Sequence, residues 1–339
     1  MATNAQGKII TFYSYKGGVG RSMILANVAW ILASNGKKVL VIDWDLDAPS
    51  LHRYFQPFLL DKDLSATKGL IDFFNKFIDA ALTPPDETEE DDENWYKPYT
   101  NLRPYAVPLD WEFPQQGTID FVPAGKQVKL YAMRVTSFDW DLFYERFQGG
   151  IFLETVKDKM RADYDYILID SRTGIGDPSG ICTVQMPDSL VVFFTANNQS
   201  ISGAVGIARS VNKQWQQDHD ENHSQNNRVI FPVFSRTDRT KKDKLDLARD
   251  YIKFEFTPFL QQHLSKTEVE DYWRTVEIPY ISWYAYEEVL ATFDETLEQR
   301  ESLLSAIEPF VTYLTNKKVT KLVAPNKEER EDILSQFAR

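Results

Sequence analysis

The sequence predicts an α/β fold, a doubly wound, mostly parallel sheet flanked by helices, and three observations predict it. An apolar run, Ile9–Phe12, leads into Lys16-Gly17-Gly18-Val19-Gly20-Arg21-Ser22. Apolar residues at helical spacing follow from Met23 to Ala33, until Gly36 can stop the helix. A second apolar run, Val39–Ile42, ends in Asp43-Trp44-Asp45 and closes a βαβ unit around the glycine loop. Later runs, Tyr166–Ile169 and Ser189–Thr195, are almost continuously apolar, as strands are when helices cover both faces of a sheet.

The loop is the first functional stretch. Its glycines let the backbone turn tightly and aim successive N–H groups inward, where a phosphate can approach without meeting a Cβ. The helix behind it adds unpaired N–H groups and the positive end of its dipole to the same anion site. Ser22 sits where a hydroxyl can ligand Mg²⁺. Strand, loop, helix and the carboxylates beyond them agree on a nucleotide site rather than a plain turn. Carboxylates at the carboxyl end of a parallel strand lie over the crevice where open α/β sheets bind ligands, which makes Asp43 and Asp45 candidates. Asp47 also suits a turn before Pro49.

Further along, Leu70, Ile71, Phe74, Phe77 and Ile78 recur at helical spacing within Ser65–Leu82. The acidic, proline-bearing stretch that follows predicts a partly disordered insertion at about 83–116. It reads as a solvated loop, with docking of a basic partner as the sharper alternative. Ile119–Val122 is a short strand, and Tyr131–Phe147 gathers Phe138, Trp140, Phe143 and Tyr144, aromatics that fill a core or an interface. In Tyr164–Gly174 a buried strand carries Asp170 at its tip, the geometry of a Walker B carboxylate that holds Mg²⁺ through water. Arg172 has two readings: it stabilises charge on a transferred phosphoryl group, or it pairs with Asp45, Asp47 or Asp177.

His219 and His223 have i, i+4 spacing, but without a Glu after the first histidine or a third ligand they read as surface-loop residues. Arg228–Ser235 is a strand running into Arg236-Thr237-Asp238, and Arg239, Lys241, Lys242 and Lys244 then read as a solvated helix start, with a DNA or partner contact as the alternative. Glu277–Ile281 is the last strand, with Trp283, Tyr284 and Tyr286 beyond it as flanks for a base. Leu297–Leu314 is a helix perturbed at Pro309. These elements make one domain over 1–339, with a C-terminal helical segment at about 294–339.

Composition bounds the function. With 43% hydrophobic and 14% aromatic residues the chain can bury a large core, and a net charge of −12 argues against a generally basic nucleic-acid or anionic-membrane surface. The single cysteine, Cys182, rules out an internal disulfide and fits a reducing compartment. MATNAQGK lacks an apolar signal core, and no run approaches the roughly 20 apolar residues that span a bilayer. A cytoplasmic protein without a membrane anchor is expected.

KGGVGRS resembles the deviant Walker A motif, KGGxGK followed by Ser or Thr, of the ParA/MinD superfamily of P-loop ATPases. With SYKGGVGRSM and YDYILIDSRTG, the chain is similar to a narrower group, the KGGVGR-motif variant ATPases, from about Lys8 to the region near Glu288. The resemblance implies ATP and Mg²⁺ as cofactors and a homodimer across ATP, in which Lys16 reaches the partner's nucleotide. It implies that Gly17, Gly18, Val19, Gly20, Arg21, Ser22 and Met23 cradle the phosphates. Asp45 would orient the attacking water, and Asp43 would join Ser22 and Asp170 around the metal. Gly174, in the D-x-x-x-G spacing of switch II, would meet the γ-phosphate. Arg236 and Asp238 would read the adenine edge. The catalytic candidates are thus Lys16, Asp45 and Arg172.

Arg21 departs from the family pattern, which usually has lysine there, and Met23 replaces a second hydroxyl residue. A guanidinium is a longer planar fork than an ammonium, so the exchange is not conservative. Binding is expected to survive it, and hydrolysis is what it puts at stake. Three functions use such a site: a nucleotide-dependent dimer switch controlling a partner or effector, a non-hydrolysing ATP-bound adaptor, and a DNA or cargo partitioning ATPase. The switch is the reading adopted, and the KGGVGR group's association with bacterial conflict and antiviral defence implies a regulatory partner. DNA is not favoured, and no membrane contact is expected.

Overall fold

Strand β1 (Lys8–Ser14) enters the glycine loop, helix α1 (Arg21–Ser34) leaves it, and β2 (Lys38–Trp44) returns beside it. After α2 (Leu70–Leu82) come a short edge strand β3 (Val107–Pro108), β4 (Thr118–Val122), α3 (Gly149–Asp163) and β5 (Tyr166–Ser171). The second half contains β6 (Ser189–Phe194), α4 (Asn198–Asn222), β7 (Val229–Thr237) and α5 (Lys242–Leu260). It ends with α6 (Lys266–Thr275), β8 (Glu277–Pro279), α7 (Leu303–Leu314) and α8 (Lys327–Phe337). This is a computed structural model, and it describes residues 6–83, 94–174, 180–222, 228–238, 240, 242–295 and 302–337.

Among the described residues, eight strands form one sheet in the order β3-β4-β2-β5-β1-β6-β7-β8, in which only β3 runs antiparallel to its neighbour. The fold is the expected doubly wound one. Central strands are buried on both faces, which is why they read as unbroken apolar runs. One face packs beneath α1, α6 and α7, with Ile10, Phe12, Val41, Leu168, Phe193 and Val233 pointing into it. The other face is covered by α2 and α3 over Leu40, Ile42 and Ile169, and by α4 and α5 over Leu190, Val192 and Phe234. Because β1 lies between β5 and β6 while the chain crosses from β1 to β2, the carboxyl ends of β1, β2 and β5 open onto a crevice at the switch in strand order.

The stretch 83–116 is less loop-like than its composition implies. Residues 84–93, which hold most of the acidic run, lie outside the described residues. The rest packs: Leu102 and Tyr105 are buried with α2 and α3, and Phe113 and Trp111 pack at a tilt against Trp30 of α1 at 4.7 and 5.7 Å between ring centroids. A window average dominated by Asp and Glu hides these apolar anchors, because a few aromatics each bury a large area. His219 also departs from expectation. It is exposed in the last turn of a helix rather than in a loop, and His223 lies outside the described residues. The helix expected from Leu297 begins at Leu303, with Pro309 inside it; 296–301 lie outside the described residues. Among the described residues no helix is long and apolar enough to cross a membrane.

Candidate functional site

A cavity of about 390 Å³ sits at that crevice. Its floor is the loop itself, Gly17 to Met23, with Ser14 at the tip of β1, and its walls include Asp45, Ser50, Tyr54 and Thr173. The far end is Arg236 with Ile278, Pro279, Tyr280, Ile281 and Tyr284. Gly18 and Gly20 hold φ of 73° and 84°, left-handed backbone that a side chain resists, so the loop's course depends on them. Helix α1 starts with no side-chain cap and no acidic residue in its first turn, which leaves its first N–H groups to a ligand. Ser235 pins the loop from behind by donating to the Val19 carbonyl at 2.9 Å.

The strand tips bring three carboxylates together. Asp43 and Asp170 are register partners across β2 and β5 and are both about 1% exposed, whereas Asp45 lies one step further out on the cavity wall. Burial pushes the Asp43 carboxyl well above the usual range, and the charges of Asp170 and Asp45 add to this. Its oxygens accept the N–H groups of Asp45 and Leu51, each at 3.2 Å. Burial also raises Asp45, with Arg21 opposing and Asp170 reinforcing the shift.

Arg21 is the hub. Its Nε donates to Asp170 at 2.5 Å, its Nη2 to Asp45 at 3.0 Å and its Nη1 to the Ser14 hydroxyl at 3.2 Å. Burial alone would lower the Arg21 pKa, but the two carboxylates hold it above its ordinary value. Buried Cys182 feels the charges of the same three groups, and burial pushes its thiol up.

The remaining candidates separate. Lys16 is exposed, its Nζ 5.8 Å from the Tyr15 ring centroid, and it is not part of the cavity wall. Arg172 takes the structural partner of its two readings, an ion pair to Asp47 at 2.8 Å. The Gly174 carbonyl accepts from the Tyr13 hydroxyl at 3.1 Å; Asp177 lies outside the described residues. Arg236 donates to the Gly18 carbonyl at 2.6 Å and lies over the Tyr280 ring at 4.7 Å, joining the loop to the aromatic end. Asp238 is not brought to this cavity. It accepts from the Thr240 N–H and hydroxyl and lines a neighbouring cavity of about 400 Å³. Tyr284 is at the site, but Trp283 and Tyr286 are exposed outside it. Ser14, Ser50 and Tyr54 went unread, because isolated serines and a tyrosine in a short helical turn carry no spacing signal.

The arrangement fits a phosphate chain, through open space over Gly17 and the uncapped helix start. Ser22, Asp170 and Asp43 supply hard oxygen donors suited to Mg²⁺, but Arg21 occupies Asp170. Among the described residues no group of three or more His, Cys, Asp or Glu side chains stands ready for a metal.

Comparison with known proteins decides the family. The model of the CobQ/CobB/MinD/ParA nucleotide binding domain matches residues 10–313. The chain belongs to that family. McdA of Cyanothece in complex with ATP superposes with a TM-score of 0.55 at 14% identity, covering 93% of this chain and 98% of that one. MinD of Pyrococcus horikoshii complexed with Mg-ADP gives 0.51 at 14% identity, covering 92% and 98%. At such identities the likeness is one of fold. In sequence, an uncharacterised ATP-binding protein of Methanocaldococcus jannaschii is 52% identical over 46 residues, 14% of this chain and 18% of that protein. The chain thus covers under a fifth of the curated relatives it matches.

Proposed function

We propose that this family member is an ATP-dependent molecular switch in the cytoplasm, a slow Mg²⁺-dependent ATPase that pairs with a second copy across the nucleotide and controls a regulatory or effector partner. The bacterial defence setting that the KGGVGR resemblance implies belongs to the same proposal. The observation that supports it is the meeting, in one cavity, of the loop, the Asp45 carboxylate and an aromatic end. Loop N–H groups from Gly17 to Ser22 bind phosphates, Tyr280 and Tyr284 flank the base, and Arg236 ties the two ends together. Asp45 is the strand-tip carboxylate on the cavity wall, so it is the group available to orient a water. Mg²⁺ would be held by Ser22, Asp170 and Asp43, and when bound it would supply charge that neutralises the phosphates. Lys16, exposed and off the wall, would be the residue that serves a neighbouring subunit.

One observation favours a second reading. Arg21 is fully engaged by Asp170, Asp45 and Ser14, as a site that binds ATP without turnover would keep it. ATP turnover and mass in solution, measured on wild type, Lys16→Ala and Asp45→Ala, decide between them. The switch requires slow turnover by wild type, an ATP-trapped dimer of Asp45→Ala and a monomeric Lys16→Ala. ATP bound but never hydrolysed, with mass indifferent to it, makes the protein an adaptor.

A further inference from the structure

The guanidinium of Arg21 sits where two strand-tip carboxylates converge, with contacts of 2.5 Å to Asp170 and 3.0 Å to Asp45. Arg21 and Asp45 belong to the cavity wall, whereas Asp170 lies behind them, 1% exposed. A cation entering from the cavity meets Arg21 before it can meet Asp170. We propose that Arg21 is a removable plug: a divalent cation gains Asp170 only when a phosphate-bearing ligand draws the guanidinium off it and off Asp45. The proposal rests on the nucleotide reading above for the ligand that draws Arg21 away.

The physical argument is one of charge balance. If Arg21 left alone, it would strand Asp170 and Asp45 beside the buried Asp43, and breaking a buried pair in that way is strongly unfavourable. If a cation entered while Arg21 stayed, two cations would crowd one pair of carboxylates with the Ser14 hydroxyl beside them. The two events must therefore happen together, phosphate oxygens taking the guanidinium as the cation takes Asp170. A lysine would plug less firmly, because its compact ammonium lacks the planar fork that here reaches Asp170, Asp45 and Ser14 at once. Arginine at this position thus makes metal and phosphate binding depend on each other, and such coupling is reciprocal.

The test uses the full chain without nucleotide and Mn²⁺ as the probe. Free Mn²⁺ is counted by electron spin resonance, and the melting temperature is followed in parallel. Wild type should leave the Mn²⁺ signal and its melting temperature unchanged. Arg21→Gln, which uncovers the carboxylates, should bind Mn²⁺ about tenfold or more tightly than wild type and gain melting temperature on its addition. Arg21→Lys should fall between the two, and it carries the comparison if Arg21→Gln does not fold. Equal Mn²⁺ affinity in wild type and both variants overturns the plug. A separate ADP titration on the wild type keeps the premise distinct: failure to bind ADP with or without Mn²⁺ defeats the nucleotide reading, while the Mn²⁺ comparison still decides what Arg21 covers.

Discussion

At the scale of single residues, Lys8 shows how a buried charge tunes stability away from the site. It starts β1 at the opposite end of the strand from the loop, donates to the Leu314 carbonyl at 3.3 Å and lies over Phe231. Burial lowers its pKa from 10.5 to about 8, with Asp188 opposing and Lys318 reinforcing the shift. Below pH 8 both folded and unfolded chains hold the proton, so the folded state bears the full cost of burial. Between 8 and 10.5 the unfolded chain holds more protons, and stability rises with pH. Lys8→Met should therefore stabilise the protein at pH 7 by about 1–2 kcal/mol. The gain should shrink as the pH approaches 10.5. Urea midpoints of both proteins across that range check it, and a gain that ignores pH would remove the explanation. Residue types at the loop and strand tips were legible from spacing, but their pairings were not. Nothing in the order of residues says that Arg21 faces Asp170 rather than a ligand, because 149 positions separate them and only the strand order brings them together.

Among the elements, strands were easy to read and helix starts were not. β5 and β6 announce themselves as unbroken apolar runs because both of their faces are covered. Helix α7 is different, since its start is secured by a residue outside its own turn. The Glu295 carboxylate accepts the N–H groups of Leu303 at 2.8 Å and Leu304 at 2.7 Å, placing a negative charge at the positive end of the helix. Ser302 adds a capping box with Ser305. The sequence places this helix from Leu297, because the carboxylate that fixes its start, Glu295, lies eight positions before Leu303 and carries no local cap signal. Glu295→Ala should cost about 2–3 kcal/mol, because it leaves two buried donors unpaired and removes the charge. Glu295→Gln keeps an acceptor and should cost about half as much. Chemical denaturation of both variants measures this, and equal losses would mean that packing rather than the cap is responsible. The stretch 94–116 teaches the complementary lesson: Trp111 and Phe113 bind it to Trp30, and a composition average cannot see where single aromatics point.

For the whole molecule, the question is whether the two halves of the sheet behave as one unit. On one face the core divides, with α2 and α3 over β2, β4 and β5, and α4 and α5 over β6 and β7. On the other face a single cluster runs through β1, β2, β4, β5, β6 and β7 beneath α1 and α7, so neither half can open without exposing apolar surface shared with the other. β1 seals the join, paired in parallel to β5 on one side and to β6 on the other. The cavity straddles this same line, since Asp45 comes from one half, and Arg236 and Tyr280 from the other, with the loop between them. A site assembled across a weak seam would lose its geometry with each local opening. Native-state hydrogen exchange in rising urea tests the unit directly. Amides of β2 and β6 should converge on one opening free energy as urea increases, the global one. A β2–β4 half that exchanges through its own, cheaper opening while β6 and β7 stay protected would show two units and would leave the site held by only one of them.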